Sequence, residues 1–154
     1  YCTRVGSGPF PTELNDSTGE LLRIEGHEYG STTGRPRRCG WLDLVALKYS
    51  IMLNGVTRLI MTKADVLNSF EEIMICTAYK INGKDFSALP YDLDDSILPV
   101  YRKFKGWNTD TSRFRQFEEL PAEMTDYVRF IEKETGVPIT MISVGPERDQ
   151  TIFR

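Results

Sequence analysis

The chain has 154 residues, 40% hydrophobic and 27% charged, with a formal net charge of −3. That is enough material for one core, and the slightly acidic balance argues against nucleic acid or a membrane surface as a bulk partner. A lone histidine, His27, excludes a histidine-based triad or a multi-histidine metal centre. Cys2, Cys39 and Cys76, odd in number and widely spaced, read as free thiols of a reducing compartment.

The chain opens on YCTRVGSGPF, without methionine, in apolar and glycine-rich sequence that reads as the middle of a domain, so a piece of a longer chain is expected. Residues 1–14 are a short extended piece breaking into a turn cluster at Gly6–Pro11. Residues 15–29 are polar and turn-rich, and YGSTTGRPRRCG, 29–40, is a loop, since three glycines, a proline and three arginines leave no apolar period. WLDLVALKYSIMLNG, 41–55, repeats apolar residues at Trp41, Leu44, Val45, Leu47, Ile51 and Met52 and predicts a helix capped at Asn54-Gly55. VTRLIMT, 56–62, is an apolar, β-branched run without alternation, the pattern of a strand covered on both faces. EIMICTAYKING, 72–83, turns at Asn82-Gly83 into KDFSALP and predicts an antiparallel ribbon.

Residues 90–119 are irregular, rich in aromatics and charges. LPAEMTDYVRFIEKETG, 120–136, is the clearest helix, with Pro121 in its first turn, Met124, Tyr127, Val128 and Ile131 on one face and Gly136 closing it. VPITMISVGP, 137–146, is a second buried strand. Helix, strand, ribbon, helix, strand predicts an α/β fold with at least two parallel strands.

Both buried strands end in polar turns, and ligands of open α/β sheets collect beyond the carboxyl ends of strands. After the first lies Lys63-Ala64-Asp65. A carboxylate there accepts two hydrogen bonds from guanine's ring N–H and exocyclic amine, a donor pair that adenine lacks. The lysine stem can lie over the base plane. After the second strand, Ser143-Val144-Gly145-Pro146 can offer a backbone N–H to the guanine carbonyl, Gly145 permitting close approach. Lys-x-Asp also arises by chance, and Ser-x-Gly-Pro is an ordinary turn. The second candidate is the loop 32–38: Thr32 and Thr33 supply hydroxyls, Gly34 backbone access, and Arg35, Arg37 and Arg38 a concentration of positive charge with no matching acidic run, which wants an anion. A third, YRKFKGW…SRFRQF over 101–117, interleaves basic and aromatic residues as a base-stacking groove would, although a layer covering the core is its commoner use. Asp92, Asp94 and Asp95 lack a calcium-loop pattern and read as solvated surface.

In order and spacing, YCTRVGSGPFPTEL, EYGSTTGRPRRCGWLD, TKADVL, ETGVPI and SVGPERDQT resemble the C-terminal part of the adenylosuccinate synthetase family, through essentially the whole chain. The resemblance implies an α/β fold: part of a mostly parallel central sheet flanked by helices, with an antiparallel ribbon insertion, an incomplete P-loop NTPase-like architecture. Residues 1–154 would be the C-terminal portion of a single larger catalytic domain. The family ligates inosine monophosphate (IMP) and L-aspartate, using GTP and Mg2+, in purine synthesis. GTP phosphorylates the base's 6-oxygen, and the aspartate amine displaces phosphate.

By the resemblance, the loop of Ser31, Thr32, Thr33, Gly34, Arg35, Pro36 and Arg37 closes over aspartate, with Thr32, Thr33 and Arg35 at its carboxylates. Arg35 also reaches the IMP ribose, Arg37 lies between aspartate and the nucleotide, and Val5 lines the IMP pocket. Lys63, Ala64 and Asp65, with Ser143, Val144, Gly145 and Pro146, hold the guanine of GTP. The family usually has threonine where this chain has Val144, and a backbone contact at Gly145 survives that change. The catalytic aspartate and histidine, the phosphate-binding glycines and the Mg2+ ligands are expected upstream, so residues 1–154 alone should be inactive and hold no metal. The resemblance further implies a cytoplasmic homodimer when full length, acting on small molecules, without nucleic acid or membrane. The alternative is a free-standing, non-catalytic module that binds guanine nucleotides or anions.

Overall fold

The computed structural model describes residues 1–94 and 96–154; of the acidic trio, Asp95 lies outside the described residues. In chain order the elements are β1 (Cys2–Arg4), α1 (Ser17–Glu25), β2 (Arg38–Gly40), β3 (Leu42–Asp43), α2 (Leu44–Asn54), β4 (Leu59–Met61), β5 (Glu72–Ile81), β6 (Lys84–Phe86), β7 (Leu98–Lys105), α3 (Ala122–Thr135), β8 (Ile139–Ser143) and β9 (Thr151–Phe153), with short 3-10 turns at Ala64–Leu67, Phe117–Glu119 and Arg148–Gln150. The fold is mixed α/β, its strands pairing both parallel and antiparallel with helices between them. Two compact units divide the chain: Tyr1–Tyr49 with Met74–Lys103, and Ser50–Ile73 with Phe104–Arg154.

In the first unit β1 runs antiparallel to β2, setting Arg4 opposite Arg38. β5 pairs in parallel with β3, antiparallel with β6, and also with β7. The β5–β6 turn has positive φ at both Asn82 (51°) and Gly83 (77°), the hairpin geometry that the Asn-Gly pair predicts. Val45, Cys76, Tyr79 and Ile97 form a buried cluster, with Leu93 and Tyr101 packed against it. Inside it the Tyr79 hydroxyl donates to Asp43 Oδ2 at 2.5 Å. Asp43 Oδ1 accepts the Ala46 N–H at 3.0 Å, a side-chain cap that starts α2 at Leu44 rather than at Trp41.

The second unit is built on β4–β8–β9, with β4 parallel and β9 antiparallel to β8. The two strands that the apolar runs pick out therefore are parallel neighbours. α3 buries Met124, Tyr127, Val128 and Ile131 and ends at Gly136, whose φ of 70° closes the helix with an N–H bond to the Glu132 carbonyl. Gly106 comes so close to the Phe70 carbonyl that an added Cβ would collide with backbone.

Three expectations fail. Residues 15–29 hold a helix, α1, because Asp16 Oδ1 accepts the N–H groups of Thr18 and Gly19 and so caps a segment with a single fully buried apolar side chain, Leu22. β7 falls in the stretch whose pattern is irregular, and β9 where no element is expected; the outward charges of β7 blur its alternation, and its pairing with β5 supplies what local pattern lacks. Among the described residues β4 is not covered on both faces, since Ile60 is 59% exposed, and it lies at the edge of its sheet.

Cys2, Cys39 and Cys76 are free thiols, as their spacing predicts. Burial, then the charge of Asp43, pushes the Cys76 thiol up to about 12, so it packs as an apolar side chain. Among the described residues no helix is long and apolar enough to cross a membrane.

Candidate functional site

The first unit presents the arginine loop. Tyr29 and Pro36 bridge its base, the Gly30 N–H donates to the Arg35 carbonyl at 2.9 Å, and the Gly34 N–H to the Gly30 carbonyl at 2.8 Å. Gly34 turns with φ of 62°, so the backbone closes on itself within eight residues and leaves the side chains of Ser31, Thr32, Thr33, Arg35 and Pro36 exposed. Thr33 Oγ1 accepts the Arg35 N–H at 3.3 Å. Val5, just beyond β1, is 79% exposed.

The reading that the three arginines lack acidic counterparts holds for one of them. Arg38 forks onto Glu13, with Nε at 2.8 Å and Nη2 at 2.5 Å, and its Nη1 donates to the Gly8 carbonyl at 2.7 Å. Arg37 Nη1 donates to Glu28 Oε2 at 2.8 Å, while its Nε is buried with no hydrogen-bond partner. Only the Arg35 guanidinium has no bond to a described residue, and it stands exposed at the loop's edge. Two arginines thus fix the frame, and the third stands exposed.

The second unit presents the Lys-x-Asp turn. β4 ends at Met61, which lies beside Ile142 of β8, so the turns after the two strands emerge at the same end of the sheet. Lys63 takes the left-handed conformation (φ 55°, ψ 41°), rare for a β-carbon residue, and this reverses the chain into the 3-10 turn Ala64–Leu67. Ala64, Val66 and Leu67 are buried beneath Asp65. Asp65 Oδ1 is buried and has no hydrogen-bond partner. Burial raises the Asp65 carboxyl above the usual aspartate value, against a lowering pull from its own backbone and from Lys63.

Across the strand end, the Ser143 hydroxyl donates to the Gly145 carbonyl at 3.0 Å and the Val144 N–H to the Gln150 carbonyl at 2.9 Å. Val144 is fully buried, so at this position the side chain serves the core. Gly145 is buried and Pro146 exposed; a Cβ at Gly145 would strike the Gln150 side chain, whose Oε1 accepts the Glu147 N–H at 2.9 Å. A buried carboxylate oxygen without a donor beside a tight glycine turn can take a planar ligand that offers N–H groups.

The pattern for adenylosuccinate synthetase matches residues 1–152. The chain belongs to the adenylosuccinate synthetase family. It is 59% identical over 156 residues to the adenylosuccinate synthetase of Cytophaga hutchinsonii and 57% identical over 154 residues to that of Bacteroides fragilis, covering 100% of this chain and 36% of each relative. Fully ligated adenylosuccinate synthetase from Plasmodium falciparum superposes with a TM-score of 0.94 at 44% identity, over 100% of this chain and 38% of that one. The chain therefore spans little more than a third of the length of the family members it matches.

The remaining candidates are absorbed by packing. Phe104 lies edge-on to Tyr127 at 5.6 Å and tilts against Phe130 at 4.9 Å; Trp107 meets Tyr127 at 5.9 Å and donates from Nε1 to Asn68 Oδ1 at 2.9 Å. Those aromatics of 101–117 thus cover the core. Asp94 Oδ1 accepts the Ser96 N–H at 2.9 Å and the Ser96 hydroxyl at 2.5 Å, bonds that hold its carboxyl below the usual range. The sequence reading missed Glu28 and Glu13, the carboxylates behind Arg37 and Arg38. The only signal was an acidic residue in a polar stretch ahead of a basic loop.

Proposed function

We propose that residues 1–154 are the C-terminal portion of a larger catalytic chain that ligates IMP and L-aspartate to adenylosuccinate with GTP. The observation that carries this reading is Asp65, whose buried, donor-less Oδ1 sits at the end of β4 beside the Ser143–Gly145 turn of the parallel strand β8. In this role Asp65 accepts from N1–H and the 2-amino group of guanine, Lys63 covers the base plane, and the Gly145 turn approaches the 6-carbonyl. Ala64, Val144 and Pro146 shape the turns that hold these groups.

In the other unit, the hydroxyls of Thr32 and Thr33 and the free fork of Arg35 take the carboxylates of L-aspartate, with Ser31, Gly34 and Pro36 supplying the loop's shape and Arg37 its inner wall. Arg35 extends to the IMP ribose, and Val5 gives IMP an apolar contact. The γ-phosphoryl of GTP passes to the 6-oxygen of IMP, leaving GDP; the aspartate amine then attacks C6 and phosphate departs.

The groups that move the proton and hold the phosphates and Mg2+ are assigned to the upstream part of the chain. No group of three His, Cys, Asp or Glu suited to a metal occurs among the described residues. Apolar surface agrees with a missing neighbour: Ile60 on edge strand β4, and Met52 and Leu53 on α2, are 59%, 67% and 63% exposed. A cytoplasmic homodimer follows from the family resemblance.

The test is a full-length chain assayed for adenylosuccinate with each substrate omitted in turn. Product should require IMP, L-aspartate and GTP together, and residues 1–154 alone should form none. Guanine-nucleotide binding by the full chain without any ligation would refute the reading and favour a binding module.

A further inference from the structure

Glu28 is only 3% exposed, and both its carboxylate oxygens are engaged. The Tyr1 hydroxyl donates to Oε1 at 2.6 Å, and Arg37 Nη1 donates to Oε2 at 2.8 Å. The backbone repeats the latch: the Arg37 N–H donates to the Glu28 carbonyl at 2.9 Å, and Arg23 Nε donates to the Arg37 carbonyl at 3.0 Å. Room for the cluster is made by Gly26, where a Cβ would stand 2.7 Å from the Tyr1 hydroxyl and 3.0 Å from Glu28 Cγ.

A buried carboxylate is expensive to keep, and a partner that only neutralised it would use its full fork. Arg38 does so, giving two donors to Glu13. Arg37 gives Glu28 one corner, and its buried Nε–H has no partner. A guanidinium pinned at one corner, on a side chain still 35% exposed, keeps a free edge for an oxygen anion. We propose that Glu28, backed by Tyr1, is a positioning residue that sets the Arg37 guanidinium for the carboxylate of L-aspartate. This inference rests on the reading of the 31–37 loop given above.

The experiment uses the full-length chain. Glu28→Gln keeps the volume and a hydrogen-bonding group for Tyr1 but removes the charge facing Arg37. The KM for L-aspartate should rise about tenfold, with kcat changed less. On an Arg37→Leu background the same substitution should add nothing, because the residue it acts through is gone. An unchanged KM in the first background, or an equal rise in both, overturns the proposal. If Arg37→Leu alone leaves the aspartate KM unaltered, the inference falls; the loop reading itself falls only if Arg35→Leu also leaves that KM unaltered, so the two failures are distinct. Should Glu28→Gln fail to fold, Tyr1→Phe removes one donor only and should raise the same KM about threefold; no rise there overturns the role of Tyr1 and Glu28 alike.

Discussion

Asp65→Asn tests the base reader most directly. The apoprotein holds Asp65 Oδ1 buried and without a donor, so the desolvation of that oxygen is already incurred before any ligand binds. Each hydrogen bond that guanine then makes to the carboxylate is worth about 1.5–3 kcal/mol, and the pair about 3–6 kcal/mol. The amide offers one acceptor and turns an NH2 toward guanine's own donors, so kcat/KM with GTP should fall by about 10²–10⁴. Xanthine carries an oxygen where guanine carries the 2-amino group and can accept from that NH2, so XTP should become the better substrate. The assay is adenylosuccinate formation by the full-length chain at saturating IMP and L-aspartate, with GTP and XTP varied in parallel. An Asn variant that keeps its preference for GTP would refute the assignment, whatever its overall rate.

Arg35→Leu should raise the KM for L-aspartate by about 10²-fold, as loss of a charged, two-pronged contact predicts, while the KM for GTP moves far less; initial rates against each substrate decide it. Burial raises the Asp65 carboxyl, so its stabilising contribution is present at low pH and lost as pH rises through the folded-state value. Guanine's donors favour the charged form, so GTP affinity should strengthen over that same window, from the usual aspartate value upward, and titration of Asp65→Asn should show no such dependence. Tyr79→Phe strips the donor from buried Asp43 Oδ2. It should cost about 1–3 kcal/mol, read as a lowered thermal midpoint, and an unchanged midpoint would mean that the hydroxyl is dispensable.

Local pattern was enough wherever local forces decide. The face of α3, the Asn82-Gly83 turn and the two apolar runs that became β4 and β8 were legible because backbone preference and side-chain periodicity act within a few residues. So was the Lys63-Ala64-Asp65 turn, since strand ends and polar turns are read from neighbours. Where a contact joins residues far apart, pattern was silent. The start of α1 rests on one Asp16 cap, and β7 exists as a strand through its pairing with β5. Composition counted three unmatched arginines, while the fold brought Glu13 to Arg38 across 25 residues and Glu28 to Arg37 across nine. The sequence by itself determined which residue types stand at the strand ends and in the loop. Tertiary structure alone decided which charges were neutralised and which stayed available, because burial and pairing depend on neighbours supplied by distant parts of the chain. It left the fork of Arg35 open, one buried N–H of Arg37 unsatisfied and one oxygen of Asp65 without a donor.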